Sequence, residues 1–171
     1  TSYFACQTAT YWFENYLGIS STAHFASEYR YKKNLQTQNC LSIFISQSGE
    51  TADTLAALRY AKKNKSMILS LVNNKESSIA RESDYVLTIA AGPEIGVAST
   101  KAFTAQLSIL SCLCLLIGSS TKSIEYNLEK KIIESLIEIP SNMSNVLNLT
   151  EKIKKLCKHI YKAKSVLYLG R

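Results

Sequence analysis

An α/β fold built on a parallel sheet is the architecture this sequence predicts. Short runs of apolar and β-branched residues alternate with stretches of helical periodicity. Each such run ends in small polar residues, Asn-Asn or Gly-Pro, rather than in a two-residue hairpin turn. Alternation of this kind indicates βαβ units with helices covering both faces of the sheet. The chain has 171 residues, enough for one domain or for one domain with part of a second. A content of 46% hydrophobic and 19% charged residues, with only two Pro and six Gly, excludes disordered and collagen-like classes.

The elements follow in order. Ser2 to Leu17 reads as a helix with Phe4, Tyr11, Trp12 and Tyr16 as its apolar bulk and Gly18 as its stop. His24-Phe25-Ala26 forms a short strand-like stretch, and Ser27 is placed to cap a helical turn over Glu28–Lys33. Leu41–Ile45 is a buried strand, followed by the turn Ser46–Gly49 and a helix from Glu50 to Lys63. Met67–Val72 is the next strand and Ser78–Glu82 a helical turn. Tyr85–Ile89 is a further strand, ended by Gly92-Pro93. Thr100–Ile117 reads as a long helix buried on most sides. Ile124–Ile139 is an amphipathic helix that Pro140 should stop. More helix runs from Ser141 to about Tyr161, with a break near Leu149-Thr150, and Val166–Leu169 has the pattern of a last strand.

Charge and cysteine usage exclude several functions. The net charge of +7 comes mainly from residues 122–171, where Lys152, Lys154, Lys155, Lys158, Lys162 and Lys164 cluster. No aromatic residues interleave with arginine there, so a solvated helix face is favoured over a nucleic-acid surface. Cys6, Cys40, Cys112, Cys114 and Cys157 contain no C-x-x-C pair, and reduced core thiols are expected rather than a metal or redox site. The apolar stretch Leu107–Gly118 is too short to span a bilayer. No secretory leader is visible, and the first residue is Thr, which points to a natural start lying upstream. His24 and His159 have no carboxylate or Cys at ligand spacing, so no metal is expected.

In parallel sheets, ligands bind beyond the carboxyl ends of the strands. Three polar clusters fall at places where a helix begins. Ser46-Gln47-Ser48-Gly49-Glu50-Thr51 lies between a strand and a helix, where hydroxyls, an amide and the N–H groups of a first helical turn could hold a phosphate. The alternative, in which Ser48 only caps the helix and the rest is a polar turn, stands beside it. Thr1-Ser2 opens the first helix. Glu94–Lys101 leads into the long helix, where Ser99 either caps the helix or meets a sugar hydroxyl. Glu94 and Lys101 are placed to pair structurally. Neither a complete P-loop nor G-x-G-x-x-G is present, so no nucleotide cofactor is indicated.

Ser-Gln-Ser-Gly-Glu-Thr-Ala-Asp-Thr-Leu at 46–55 resembles the signature of sugar isomerase (SIS) domains. Glu-Ile-Gly-Val-Ala-Ser-Thr-Lys-Ala-Phe-Thr-Ala-Gln-Leu at 94–107 is narrower. It resembles the glutamine–fructose-6-phosphate aminotransferase (isomerizing) family, as do Ala26–Tyr31, Arg81–Asp84 and the pair Thr1-Ser2. The resemblance runs over essentially the whole chain.

It implies a three-layer αβα sandwich with a parallel sheet whose N-terminal strand lies before Thr1. It also implies a first SIS domain over residues 1–150 and the opening helix and strand of a second over 151–171. Ser2, Ser46, Gln47, Ser48 and Thr51 are the family's phosphate-holding positions, and Thr1, Val97 and Ser99 line the sugar. The family's Schiff-base lysine, proton-transferring glutamate and ring-opening histidine match no position here, so no catalytic residue is assigned. The implied ligands are fructose 6-phosphate and glucosamine 6-phosphate. The implied partners are a second SIS domain and a glutaminase domain of the same chain, and a second copy in a cytoplasmic homodimer. Nucleic acid and membrane are not expected partners. The alternative functions are a non-catalytic SIS module that senses sugar phosphates in a regulator, and a plain dimerisation domain.

Overall fold

The computed structural model describes residues 1–33, 39–96 and 99–169. Two compact units divide the chain, Thr1–Tyr126 and Asn127–Arg171. The first contains α1 (Ser2–Leu17), α2 (Ala26–Tyr29), β1 (Leu41–Ser46), α3 (Ala52–Lys63), β2 (Met67–Val72), α4 (Ser78–Glu82), β3 (Tyr85–Thr88) and α5 (Lys101–Thr121). The strands form one sheet in the order β1-β2-β3, all parallel, with Leu41 opposite Met67 and Leu69 opposite Tyr85.

Strand pleating sorts the core into two halves. Ile43 and Ile45 of β1, Leu69 and Leu71 of β2 and Leu87 of β3 face α1 and α5, where Ala5, Ala9, Phe13, Leu110 and Cys114 complete the cluster. The alternate residues Phe44, Ile68 and Val72 face Ala57, Leu58 and Ala61 of α3 and Ile79 and Ala80 of α4. The result is the expected αβα sandwich. On the second face, Arg59 donates from Nε to Glu82 Oε2 at 2.9 Å, and Lys62 Nζ donates to the Glu82 carbonyl at 2.7 Å, tying α3 to α4.

Helix α1 ends at Gly18, whose φ is 66°; the Gly18 N–H donates to the Glu14 carbonyl and the Ile19 N–H to the Phe13 carbonyl, closing the last turn. A Cβ on Gly118 of α5 would press on Ile124 and come within 3.1 Å of Leu17 Cδ2. The C-terminal ends of α1 and α5 therefore meet, and these packed helices run parallel. Their N-termini, with Thr1-Ser2 and Thr100-Lys101, are directed to the other end. Helix α5 is long and apolar enough to cross a membrane by length and composition alone. Its Ala102, Gln106, Leu110, Cys114 and Gly118 are nevertheless buried, and it packs on α1 as a core helix.

In the second unit α6 spans Tyr126–Leu147 and α7 spans Thr150–Ile160, with the expected break between them. Pro140 does not stop α6. The apolar positions Ile132, Leu136, Ile139, Met143 and Val146 keep one helical phase across it, and a proline inside a helix removes a single intrahelical N–H donor. The expected strand Val166–Leu169 is irregular and exposed, because no neighbouring strand pairs with it among the described residues. The stretch before α2 is not a strand either. Phe25 stacks on Tyr3 with ring centroids 3.7 Å apart and itself occupies the N-cap, so Ser27 lies inside the helix.

The thiols are free, but they are not all core residues. Cys114 is buried, Cys6 and Cys40 are partly buried, and Cys112 and Cys157 are exposed on helices. Burial pushes the Cys6 thiol up to about 11. Alkylation of the full polypeptide with iodoacetamide under mildly alkaline conditions should label Cys112 and Cys157 first and Cys6 and Cys114 last, as read by peptide mass mapping.

Candidate functional site

The pleat that puts Ile45 into the α1/α5 core turns Ser46 towards α3, at the carboxyl end of β1. Ser46 Oγ is 2.9 Å from Thr51 Oγ1 and accepts the Gly49 N–H at 3.1 Å. Ser48 Oγ accepts the Glu50 N–H at 3.2 Å, and Ser48 is exposed. A serine oxygen that accepts from the backbone keeps its own proton to donate, so Ser48 presents a donor outward. Thr51 is the N-cap of α3, but its side chain makes no capping bond. Among the described residues, the amides of Ala52, Asp53 and Thr54 have no acceptor, as expected for a first helical turn. Hydroxyls and helix-terminal amides thus converge at one turn without a cation, a setting suited to an anion.

The turn is held by its neighbours. Gly49 has φ 70°, and a Cβ there would overlap both Oγ and Cβ of the fully buried Ser77. The Gly49 carbonyl accepts the Ile79 N–H at 3.1 Å. Glu50 Oε1 accepts the Ser78 N–H at 2.7 Å. That backbone hydrogen bond, with a smaller attraction from Arg81, holds the Glu50 carboxyl below the usual carboxylate range. Asp53 lies 3.7 Å from Arg30. Both acids of the turn therefore have partners of their own.

Asn73, which the sequence marked only as a turn signal, links the ends of all three strands. Its N–H donates to the Gln47 carbonyl at 3.2 Å and its Nδ2 to the Gly92 carbonyl at 2.9 Å, while its Oδ1 accepts the Ala91 N–H at 2.9 Å. Its place directly after β2, level with Gln47 after β1, is the signal that could have found it. Gln47 Nε2 reaches the Gly92 carbonyl at 3.5 Å, so this amide leans towards the β3 loop.

The remaining sequence candidates divide. Thr1 is the N-cap of α1 without a side-chain bond, and Ser2 is the helix's first residue. Both lie at the strand-end side of the molecule, because α1 runs parallel to α5, which starts after β3. No hydrogen bond among the described residues joins them to the turn at 46–51. Val97 lies outside the described residues. Ser99 is partly buried and does not cap α5, whose N-cap is Thr100. Glu94 takes that work instead, with Oε1 accepting the Thr100 N–H at 2.8 Å and Oε2 the Ala102 N–H at 3.2 Å. Among the described residues Glu94 makes no ion pair with Lys101, because the helix amides claim its carboxylate. No cluster of His, Cys, Asp and Glu among the described residues fits a metal ion.

A three-layer parallel αβα unit with a hydroxyl-rich strand-to-helix turn defines a class of α/β domain whose candidate site lies at the carboxyl ends of its strands. The chain belongs to the SIS domain family, whose profile matches residues 1–116. It is 44% identical over 171 residues to the glutamine–fructose-6-phosphate aminotransferase (isomerizing) of Bartonella quintana and 48% identical to that of Bradyrhizobium diazoefficiens. In both cases all of this chain aligns with 28% of the relative. The C-terminal domain of glucosamine-fructose-6-phosphate aminotransferase from Francisella tularensis superposes with a TM-score of 0.91 at 39% identity, over 99% of this chain and 48% of that one.

Replacing Gly49 by Ala forces a positive φ on a residue with a Cβ and drives that Cβ into Ser77. The substitution should cost about 2–4 kcal/mol in urea unfolding. Gly18→Ala meets no atom within 4 Å and has only its φ to accommodate, so its cost should be smaller, about 1 kcal/mol.

Proposed function

We propose that this chain holds the phosphate group of fructose 6-phosphate at the Ser46–Thr51 turn, as part of a glutamine–fructose-6-phosphate aminotransferase (isomerizing). One observation carries the reading. Ser46, Ser48 and Thr51 converge with the acceptor-free amides of Ala52–Thr54 at the end of a buried strand. A phosphate there meets several donors, and charge-assisted bonds of this type contribute about 1.5–3 kcal/mol each. Ser2 is proposed to close the other side of the phosphate, and Thr1, Val97 and Ser99 to line the sugar. Gln47 is proposed to turn its free amide proton to the phosphate.

The chain spans about a quarter of the length of its bacterial relatives. That share is consistent with further domains in the same protein, residues 1–150 being read as the first of two SIS domains, 151–171 as the start of the second, and a glutaminase domain lying elsewhere; a cytoplasmic homodimer is part of the same proposal. The complete reaction moves ammonia from glutamine to the sugar and converts a ketose to an aldose. Residues 1–171 supply part of the pocket for that reaction and no lysine, glutamate or histidine for its chemistry. The aminotransferase relatives favour this reading over a sugar-phosphate-sensing regulator.

Calorimetric titration of the full polypeptide should show saturable fructose 6-phosphate binding, competed by inorganic phosphate and not by fructose. Replacing Ser48 and Thr51 together by Ala should raise Kd about tenfold or more. An unchanged affinity in a folded double variant would remove the phosphate from this turn. Purified residues 1–171, given fructose 6-phosphate and glutamine or ammonia, should form no glucosamine 6-phosphate. Product above the uncatalysed background would refute the proposed division of labour.

A further inference from the structure

We propose that Glu50 is a positioning residue for the anion site, acting by the reach of its carboxyl oxygen to the start of α4 and not by its charge. The inference rests on the phosphate reading of the Ser46–Thr51 turn. Within the turn, Ser46 Oγ meets the Gly49 N–H and Thr51 Oγ1, and Ser48 Oγ takes the Glu50 N–H, while Thr51 leaves the helix uncapped. The carboxyl of Glu50 and the carbonyl of Gly49 are held from outside the turn, by α4. Glu50 Oε1 takes the Ser78 N–H at 2.7 Å, the Gly49 carbonyl takes the Ile79 N–H at 3.1 Å, and Gly49 lies directly against Ser77. Two consecutive backbone amides of α4 are thus spent on two consecutive residues of the turn. Glu50 immediately precedes the N-cap, so pinning it sets where Thr51 and the free amides of α3 point.

The same bond solves an electrostatic problem. A glutamate one residue from a phosphate site repels the ligand unless its carboxylate is directed elsewhere. Here it is drawn to the amide-rich start of α4, with Arg81 adding attraction. Asp53 has no equivalent brace. Its partner Arg30 is 3.7 Å away and both side chains are well exposed, an arrangement of small energetic worth.

Reach and charge separate by substitution. Glu50→Gln keeps an oxygen at the same reach and loses the charge. Glu50→Asp keeps the charge and falls one methylene short of Ser78. Glu50→Ala loses both. In the full polypeptide, titrated calorimetrically with fructose 6-phosphate and with inorganic phosphate, Glu50→Gln should bind both within about threefold of the parent, or more tightly. Glu50→Ala should bind both about tenfold more weakly, and Glu50→Asp at least as weakly as Ala, because its freed carboxylate faces the anion. Circular dichroism at the titration temperature confirms that each variant is folded. If Ala does not fold, the order of Gln and Asp decides the matter. Equal affinities for all variants, or wild-type affinity in Asp with loss in Gln, would overturn the positioning role while leaving the phosphate site in place. Failure of the parent to bind either ligand would overturn the phosphate reading and this inference together.

Discussion

The close approach of Gly49 to Ser77 is the constraint on which the strand-end architecture depends. Ser77 has no exposed surface. Only a residue without a Cβ, in a left-handed conformation, lets the turn after β1 lie against the start of α4. From that contact follow the bonds of Gly49 and Glu50 to α4 and the direction in which α3 begins. The approach also explains why a five-residue helix with little core of its own belongs to the site. It contributes backbone amides to the turn and leaves the free amides of α3 for a ligand.

Two helix N-termini at the same side of the sheet receive opposite treatment. The start of α5 is satisfied internally, because Glu94 accepts from both Thr100 and Ala102. The start of α3 is left without a side-chain cap, although Ser48, Glu50 and Asp53 all lie within a few residues of it. Ser48 accepts the Glu50 N–H, Glu50 accepts the Ser78 N–H and Asp53 lies 3.7 Å from Arg30. A helix start left uncapped while its nearby acids have other partners suits an external anion. That contrast with the internally capped α5 is what the proposed binding role of the turn rests on.

Much of this was legible in the residues. The three strands, the two long helices of the first unit and the Gly18 stop follow from periodicity and turn residues, because each element's preference agrees with its burial. Ser46, Ser48 and Thr51 were legible as a cluster, since a strand end in a parallel sheet is where ligands bind. Several readings failed, three of them for reasons that show what a local pattern lacks. Pro140 lies inside α6, where the helical phase of the apolar residues runs on across it and only one N–H donor is missing. Val166–Leu169 has a strand's composition, but composition does not supply a pairing edge. Ser27 is a good cap by type, yet Phe25 takes the N-cap position while stacking on Tyr3.

What the sequence by itself determined is the set of elements, their parallel order and the chemical character of the turn at 46–51. These are local properties, set by side-chain period and by the residue types a strand-to-helix turn admits. Tertiary structure alone decided the partners. Glu50 bonds to Ser78, twenty-eight residues away, Asn73 joins the loops after β1 and β3, and Glu94 caps α5 in place of Ser99. A carboxylate or an amide carries no mark of which backbone group it will meet. That choice depends on which chain segments the packed sheet brings within hydrogen-bonding distance, and it exists only once both faces of the sheet are covered.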